Sequence, residues 1–358
     1  MAVTSALPQV PHLGESIRMR KIVKKFKTVA GDVTVLKGVD AEFHPGEFVG
    51  VVGKSGSGKS TLVNMLTGID KPTSGEVQIG DTLVHKLSES DRSRWRGLNL
   101  GIVFQFYQLL PVLSLLENTM LPMDIAGKIP PTERESRALG LLRQVGLEHD
   151  AHKLPAAVSG GQQQAAAIAR ALANDPPFII ADEPTGNLDS RTAESIFGIF
   201  EGLASQGKTI LVVTHDPQLA QRTTRTPLLC DGEVIHPAEA AALPWLSHPQ
   251  MLRATHHSRP IQLEAGQSLV KAGDTLEGVF VIVSGTLEQT HADSGEPLRL
   301  GANRILGHNA FLMGRPARAE AAAVEPSEVL LLDGAVYQDL AAHSSLRAEL
   351  AKTGEDWL

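Results

Sequence analysis

The strongest constraint on this chain is a loop, Gly53-Lys54-Ser55-Gly56-Ser57-Gly58-Lys59-Ser60, lying between the β-branched run Phe48–Val52 and a helical segment that opens near Lys59. Its glycines let backbone N–H groups turn inward, and the helix behind it adds the positive end of its dipole, so strand, loop and helix form an anion cradle. Lys59 is placed to neutralise the β- and γ-phosphates of a nucleotide, and Ser60, followed by Thr61, to offer its hydroxyl to Mg2+. A strand feeding such a loop belongs in a mostly parallel sheet flanked by helices. The chain from Ile17 to Pro237 keeps that alternation, with Phe178–Ala181 and Thr209–Val213 as further buried strands. Ile17–Phe43 alternates more weakly around the turn signal Gly31-Asp32 and reads as an antiparallel edge.

At 358 residues the chain is long enough for about two domains. We expect an N-terminal extension over 1–16, a first domain over 17–237, a solvated linker or helix over 238–258 and a second domain over 259–358. The linker reading rests on a turn to alanine, histidine and proline; His248, His256 and His257 have no cysteine or acidic partner at metal-ligand spacing. A formal net charge of -7 argues against a nucleic-acid partner, which needs a basic surface. The single cysteine, Cys230, excludes an intramolecular disulfide framework, and the N-terminus lacks the pattern of a signal segment, so the cytoplasm is the expected compartment. No apolar run reaches the roughly 18 residues of a membrane helix. A membrane role would have to come through a partner.

The apolar strand Phe178-Ile179-Ile180-Ala181 ends in Asp182 and Glu183. Carboxylates at a buried strand end are costly unless they meet a cation or move a proton. Asp182 therefore fits a Mg2+ partner, and Glu183 a group that polarises an attacking water. Between the loop and these acids lies Ser159-Gly160-Gly161-Gln162, a second glycine-rich helix start without a lysine. It resembles the LSGGQ signature of ABC ATPases, with Val158 in the leucine position. The resemblance covers roughly Ile17 to Pro237 and implies that two copies sandwich two MgATP, each signature capping the γ-phosphate on the other copy's loop. It also implies that Gln105, in Val103-Phe104-Gln105, senses Mg2+ and the lytic water and faces the membrane partner. Asp189, in Asn187-Leu188-Asp189, would link the two sites, and His215, in Val213-Thr214-His215, would contact the γ-phosphate. Phe26 stands where the family stacks an aromatic ring on adenine. The stretch Phe104–Pro111, with Leu116-Glu117-Asn118-Thr119 and Leu121-Pro122-Met123, looks like the lipoprotein-release, macrolide-efflux and cell-division group. One departure is Ala165, where that group usually has arginine, from which altered subunit contacts or turnover are expected.

Beyond the linker, glycines at short intervals break the apolar runs of Ile261–Leu332, as in a small β-barrel or roll, and helices are expected at about Gly334–Ala342 and Ser345–Lys352. Gly273-Asp274, Val279–Gly285, Leu306-Gly307 and Gly314-Arg315-Pro316 resemble a cyclic-nucleotide-binding domain. In that family a glutamate follows the glycine matched by Gly307, and an arginine pairs with the cyclic phosphate. Here those positions hold His308 and Ala317, with Arg318 one step late and therefore on the opposite face of a strand. A roll used for regulation, packing or dimer contact is favoured over a cyclic-nucleotide sensor.

The whole sequence thus reads as an α/β P-loop ATPase domain, with a mostly parallel sheet, an antiparallel edge and a helical subdomain, followed by a β-roll with flanking helices. The function implied is an ATP-binding, ATP-hydrolysing homodimer, requiring Mg2+, which drives separate permease subunits from the inner face of the cell membrane, for export, extraction or mechanotransmission. An ABC ATPase of DNA repair or translation would carry a long coiled-coil insertion or two tandem cassettes, which this chain lacks. A switch that signals to envelope enzymes without transport would use the same motor residues and stays open.

Overall fold

The computed structural model describes residues 16–29, 31–186, 188–215, 222–291 and 297–342. The chain divides into two units, 1–233 and 234–358. In the first, β1 (Ile17–Thr28) and β2 (Gly31–Phe43) form a long antiparallel hairpin whose other edge is extended by β4 (Ser74–Ile79) and β5 (Thr82–Leu83). Thr28 pairs with Gly31 and Lys27 with Asp32, so Gly31 opens the second strand instead of forming the turn that the sequence led us to expect.

The central sheet runs in the order β10-β9-β3-β8-β7-β6, built from β3 (Phe48–Val52), β6 (Leu100–Val103), β7 (Phe178–Asp182), β8 (Thr209–Thr214), β9 (Leu228–Cys230) and β10 (Glu233–Ile235), the last where the chain leaves the unit. β3, β8, β7 and β6 are mutually parallel. Every residue of β3 and β8 is buried, as expected of strands covered on both faces. The helices are α1 (Lys59–Leu66), α2 (Glu89–Asn99), α3 (Leu115–Ala126), α4 (Pro131–Gln144), α5 (Gly160–Ala171) and α6 (Ser190–Ser205). α3, α4 and α5 pack on one another as the helical subdomain. Its core joins Leu115, Leu142 and Ile168 to the sheet residues Ile179 and Val212 and to Phe200 of α6. Ala165, Ala166 and Ala167 of α5 are all buried in this layer. Because Ala165 is enclosed within its own subunit's core, an effect on subunit contacts would be indirect.

In the second unit the stretch expected to be a solvated linker or helix forms two helices, α7 (Pro237–Ala242) and α8 (His248–His256). It is not solvated: Ala238, Glu239, Met251, Leu252 and Ala254 are buried, and Ala238 packs against Val281 and Leu330. Among the described residues no group of three or more histidine, cysteine or carboxylate side chains is placed to hold a metal ion. The β-roll follows as two four-stranded sheets. One is β11 (Ser258–Leu263), β18 (Ser327–Asp333), β13 (Gly278–Ser284) and β16 (Ile305–Leu306). The other is β12 (Ser268–Val270), β17 (Ala319–Ala323), β14 (Leu287–His291) and β15 (Pro297–Leu300). A short helix α9 (His308–Leu312) precedes β17, and α10 (Gly334–Ala342) ends the described chain. The expected helix over Ser345–Lys352 and the extension over 1–16, save residue 16, lie outside the described residues.

Candidate functional site

The phosphate loop joins β3 to α1. Lys54, Ser55, Gly56 and Ser60 face solvent while Gly53, Ser57, Gly58 and Lys59 are buried. Two glycines are forced by geometry. Gly58 sits at φ 103, in the left-handed region that favours glycine, and caps α1 without any side-chain hydrogen bond to the helix start. A Cβ on Gly53 would lie 2.4 Å from the Leu229 carbonyl oxygen and 2.5 Å from Ser57 Oγ. Lys59 curls back over the loop, its Nζ donating to the carbonyls of Gly53 at 2.8 Å and Lys54 at 3.1 Å. Thr61, third in α1, is half-buried.

The parallel register sets Asp182 beside Val213, so the ends of β7 and β8 meet in front of Lys59. Glu183 is 8% exposed, and its Oε1 stands 3.5 Å from Lys59 Nζ. Its Oε2 accepts from Thr214 Oγ1 at 3.2 Å and from the His215 backbone N–H at 3.3 Å, and pairs with His215 Nδ1 at 2.8 Å. The Glu183 backbone is left-handed, φ 47, a strained state for a residue with a Cβ. Gln105 reaches the same place: the Cβ position of Gly186 lies 3.7 Å from Glu183 Cβ and 3.8 Å from Gln105 Nε2.

The structure thus brings Lys59, Asp182, Glu183, His215 and Gln105 together. It keeps Ser159–Gln162 elsewhere in the subunit. Ser159 caps α5 in a reciprocal box, accepting from the Gln162 N–H at 3.3 Å while Gln162 Oε1 accepts from the Ser159 N–H at 2.9 Å. A Cβ on Gly161 would fall 2.2 Å from Thr192 Cγ2, and one on Gly160 would fall 2.8 Å from the Tyr107 hydroxyl, so both glycines admit neighbours from other segments. Asp189 caps α6, accepting from the N–H groups of Arg191 and Thr192 at 3.1 Å and from the Thr192 hydroxyl at 2.6 Å. Those bonds, the hydroxyl first, hold its carboxyl below the usual range. Phe26, on β1, is 40% exposed, with Lys24 Nζ 5.0 Å from its ring centroid.

The residues fit a divalent cation. Burial, reinforced by the Glu183 charge, pushes the Asp182 carboxyl above its ordinary value although the Ser60 hydroxyl and Lys59 oppose the shift. Asp182 Oδ1 is buried without a hydrogen-bond partner. An orphaned carboxylate oxygen beside a serine hydroxyl is a hard-oxygen pair of the kind Mg2+ takes.

Three residues escaped the sequence reading: Thr214, which supplies a hydroxyl to Glu183; Thr192, on which Gly161 rests; and Arg170, whose guanidinium holds the carbonyls of the left-handed residues Tyr107 and Gln108. Thr214 alone left a trace, as a polar residue closing a buried strand next to His215.

The β-roll site is different. His308 is buried at the start of α9, and Ala317 is 3% exposed within the apolar core of the roll. Ala317 N–H donates to the Asp274 carbonyl at 2.9 Å and its carbonyl accepts from Gly273 N–H at 2.7 Å. Arg315 and Arg318 are exposed, so neither enters that core.

A phosphate loop, a paired acid strand end and a separated second glycine-rich helix start define an ATP-hydrolysing cassette. Comparison with known proteins gives the same class. The family model for ABC transporters matches residues 36–186, and that for the cyclic nucleotide-binding domain matches residues 260–344. The lipoprotein-releasing system ATP-binding protein LolD of Idiomarina loihiensis is 46% identical over 221 residues, 62% of this chain and 96% of that protein. The uncharacterized ABC transporter ATP-binding protein YvrO of Bacillus subtilis is 42% identical over 219 residues, 61% of this chain and 95% of that protein. The dimeric post-hydrolysis structure of the ATP-binding cassette MJ0796, bound to ADP and Pi, superposes with a TM-score of 0.59 at 42% identity, covering 62% of this chain and 97% of that one. The chain belongs to the ABC transporter ATP-binding family, in the group of the lipoprotein-releasing ATP-binding proteins, with a C-terminal cyclic nucleotide-binding domain appended. It is an ATP hydrolase.

Proposed function

We propose that two copies of this chain close around two MgATP and drive a separate membrane permease for export or extraction, with the β-roll acting without a cyclic nucleotide. The observation that carries the motor reading is the junction of β7 and β8, where Glu183 faces Lys59 with one oxygen and His215 with the other. Phe26 stacks the base, and the loop from Gly53 to Thr61 wraps the phosphates, with Lys59 turning from its own loop carbonyls to the γ-phosphate. Ser60, Asp182 and Gln105 would hold Mg2+, which supplies charge neutralisation across the β- and γ-phosphates. Glu183 accepts a hydrogen bond from the attacking water, and His215 leaves Glu183 to meet the γ-phosphate. Ser159–Gln162 of the other copy closes the site, Asp189 links the two sites, and within each copy it holds Thr192, on which that copy's own signature rests.

The permease would dock in a groove of about 410 Å3 whose walls include Phe104, Gln108, Pro122, Arg170 and Asn174. Phe106, at 70% exposure, and Val112, at 81%, lie in the adjoining segment and suit an apolar partner. Among the described residues no helix is long and apolar enough to cross a membrane, so the membrane association rests on that partner. The extraction reading leans on the lipoprotein-releasing relatives. Against a cyclic-nucleotide ligand stand the buried His308 and Ala317 and the outward Arg318.

The test is Glu183→Gln. The variant should bind MgATP as the parent does and accumulate as a closed dimer with hydrolysis reduced by about 10²-fold or more. Size-exclusion chromatography with light scattering and a phosphate-release assay read the two properties, and undiminished turnover would overturn the role given to Glu183.

A further inference from the structure

Glu183 hangs from the end of β8 by its backbone as well as its side chain. Its N–H donates to the Val213 carbonyl at 2.8 Å, and the three donors to Oε2 come from the next two residues, Thr214 and His215. The two carboxylate oxygens are therefore unequal. Oε2 is held, whereas Oε1 is directed to Lys59 and to the space in front of the phosphate loop. Thr214 is 1% exposed, the last residue of a strand that is otherwise Thr209 followed by Ile210, Leu211, Val212 and Val213. Packing at such a position asks only for a β-branched apolar side chain, and a hydroxyl there is a cost unless it is bonded. The hydroxyl donates to the Glu183 carboxylate.

We propose that Thr214 is a positioning residue for ATP hydrolysis, its hydroxyl fixing Glu183 Oε2 so that Oε1 points at the attacking water. The inference rests on the reading of Glu183 as the water-polarising group. Its force lies in the movement assigned to His215. When the imidazole swings to the γ-phosphate it takes the 2.8 Å Nδ1 contact with it. What then restrains the carboxylate is the Thr214 hydroxyl and the His215 backbone N–H. Thr214 is in register with Val52 of β3, the residue that leads into the phosphate loop, so its hydroxyl is mounted on the same rigid sheet that carries the phosphates. A carboxylate free to rotate about its last bond would present the wrong oxygen, or none, for part of the time.

The experiment uses the full chain, steady-state phosphate release at saturating MgATP, equilibrium binding of a fluorescent ATP analogue, and thermal melting. Thr214→Val, which keeps the branched shape, should lower kcat by about tenfold, the scale of one orienting hydrogen bond, with nucleotide affinity changed by less than about twofold. Thr214→Ser should restore most of the rate. Wild-type kcat in Thr214→Val, or a Thr214→Ser variant as slow as the valine one, overturns the proposal, as does a fall in rate matched by an equal fall in affinity. If the valine variant does not fold, Thr214→Ser against Thr214→Ala makes the same comparison of hydroxyl with none. Glu183→Gln separates the two readings. Undiminished turnover there defeats the role of Glu183 itself, while an inactive Glu183→Gln beside a fully active Thr214→Val defeats only the positioning role.

Discussion

Gly161 shows how a single residue can be legible in type and illegible in reason. The string Ser159-Gly160-Gly161-Gln162 announces a glycine-rich helix start, yet what demands glycine at 161 is Thr192, thirty-one positions away, whose Cγ2 would lie 2.2 Å from an added Cβ. Gly161→Ala should therefore push α5 away from the start of α6 and reduce ATPase activity at least tenfold, a loss expected when a site is displaced by about 1 Å. Thr192→Ser removes the offending methyl but keeps the hydroxyl bond to Asp189. The double variant should recover a measurable part of the rate, and an additive double mutant would show that the contact is not the cause. The same division holds for Lys59, Ser60, Asp182 and Glu183. Their types and order were readable because phosphate and Mg2+ chemistry needs a lysine, a hydroxyl and carboxylates in that arrangement. The partners that orient them, Thr214 above all, came from tertiary packing and left little local pattern.

At the scale of elements, strands and helices that obey one strong local rule were readable: β3, β7 and β8 as short apolar runs, the start of α5 from its glycines. The stretch 238–258 was readable only in part. Its alanine and histidine composition left a solvated linker or a helix open; α7 and α8 are helices, and they bury Ala238, Met251 and Leu252 because tertiary burial outweighs composition. Element junctions also carry a pH dependence. Arg222, beyond β8, grips α6 through Glu201, Nε to Oε1 at 2.7 Å and Nη2 to Oε2 at 2.8 Å, and reaches Glu194 at 2.6 Å. The guanidinium holds the Glu201 carboxyl below its ordinary range. A depressed carboxylate contributes stability above its unfolded pKa and loses it as pH falls through the folded value. Arg222→Gln should then destabilise the ATPase unit at neutral pH by about 1 kcal/mol or less, because the pair is partly exposed and screened. The difference from wild type should shrink on acidification below the carboxylate range, as read by urea unfolding at a series of pH values.

At the scale of the whole molecule the order of two folds along one chain was readable from the phosphate loop and the glycine spacing; the expected end of the first domain at 237 stands beside a division of the chain after Glu233. Each unit has a core of its own, Leu142, Ile168, Phe200 and Val212 in the first, Ile282, Leu287, Ala319 and Val329 in the second. Two cores in one polypeptide need not melt together. Scanning calorimetry should resolve two heat-absorption peaks. MgATP at about 100 times its Kd should raise only the first unit's transition, by the equivalent of about 2.7 kcal/mol at that site. Cyclic AMP or cyclic GMP should leave both peaks where they were, and a shift of the second peak would mean that the roll does hold a cyclic nucleotide. On heating, the chain would pass through a state in which one half is still folded and the other is not, so its apparent melting point is a property of whichever half the chosen probe happens to see.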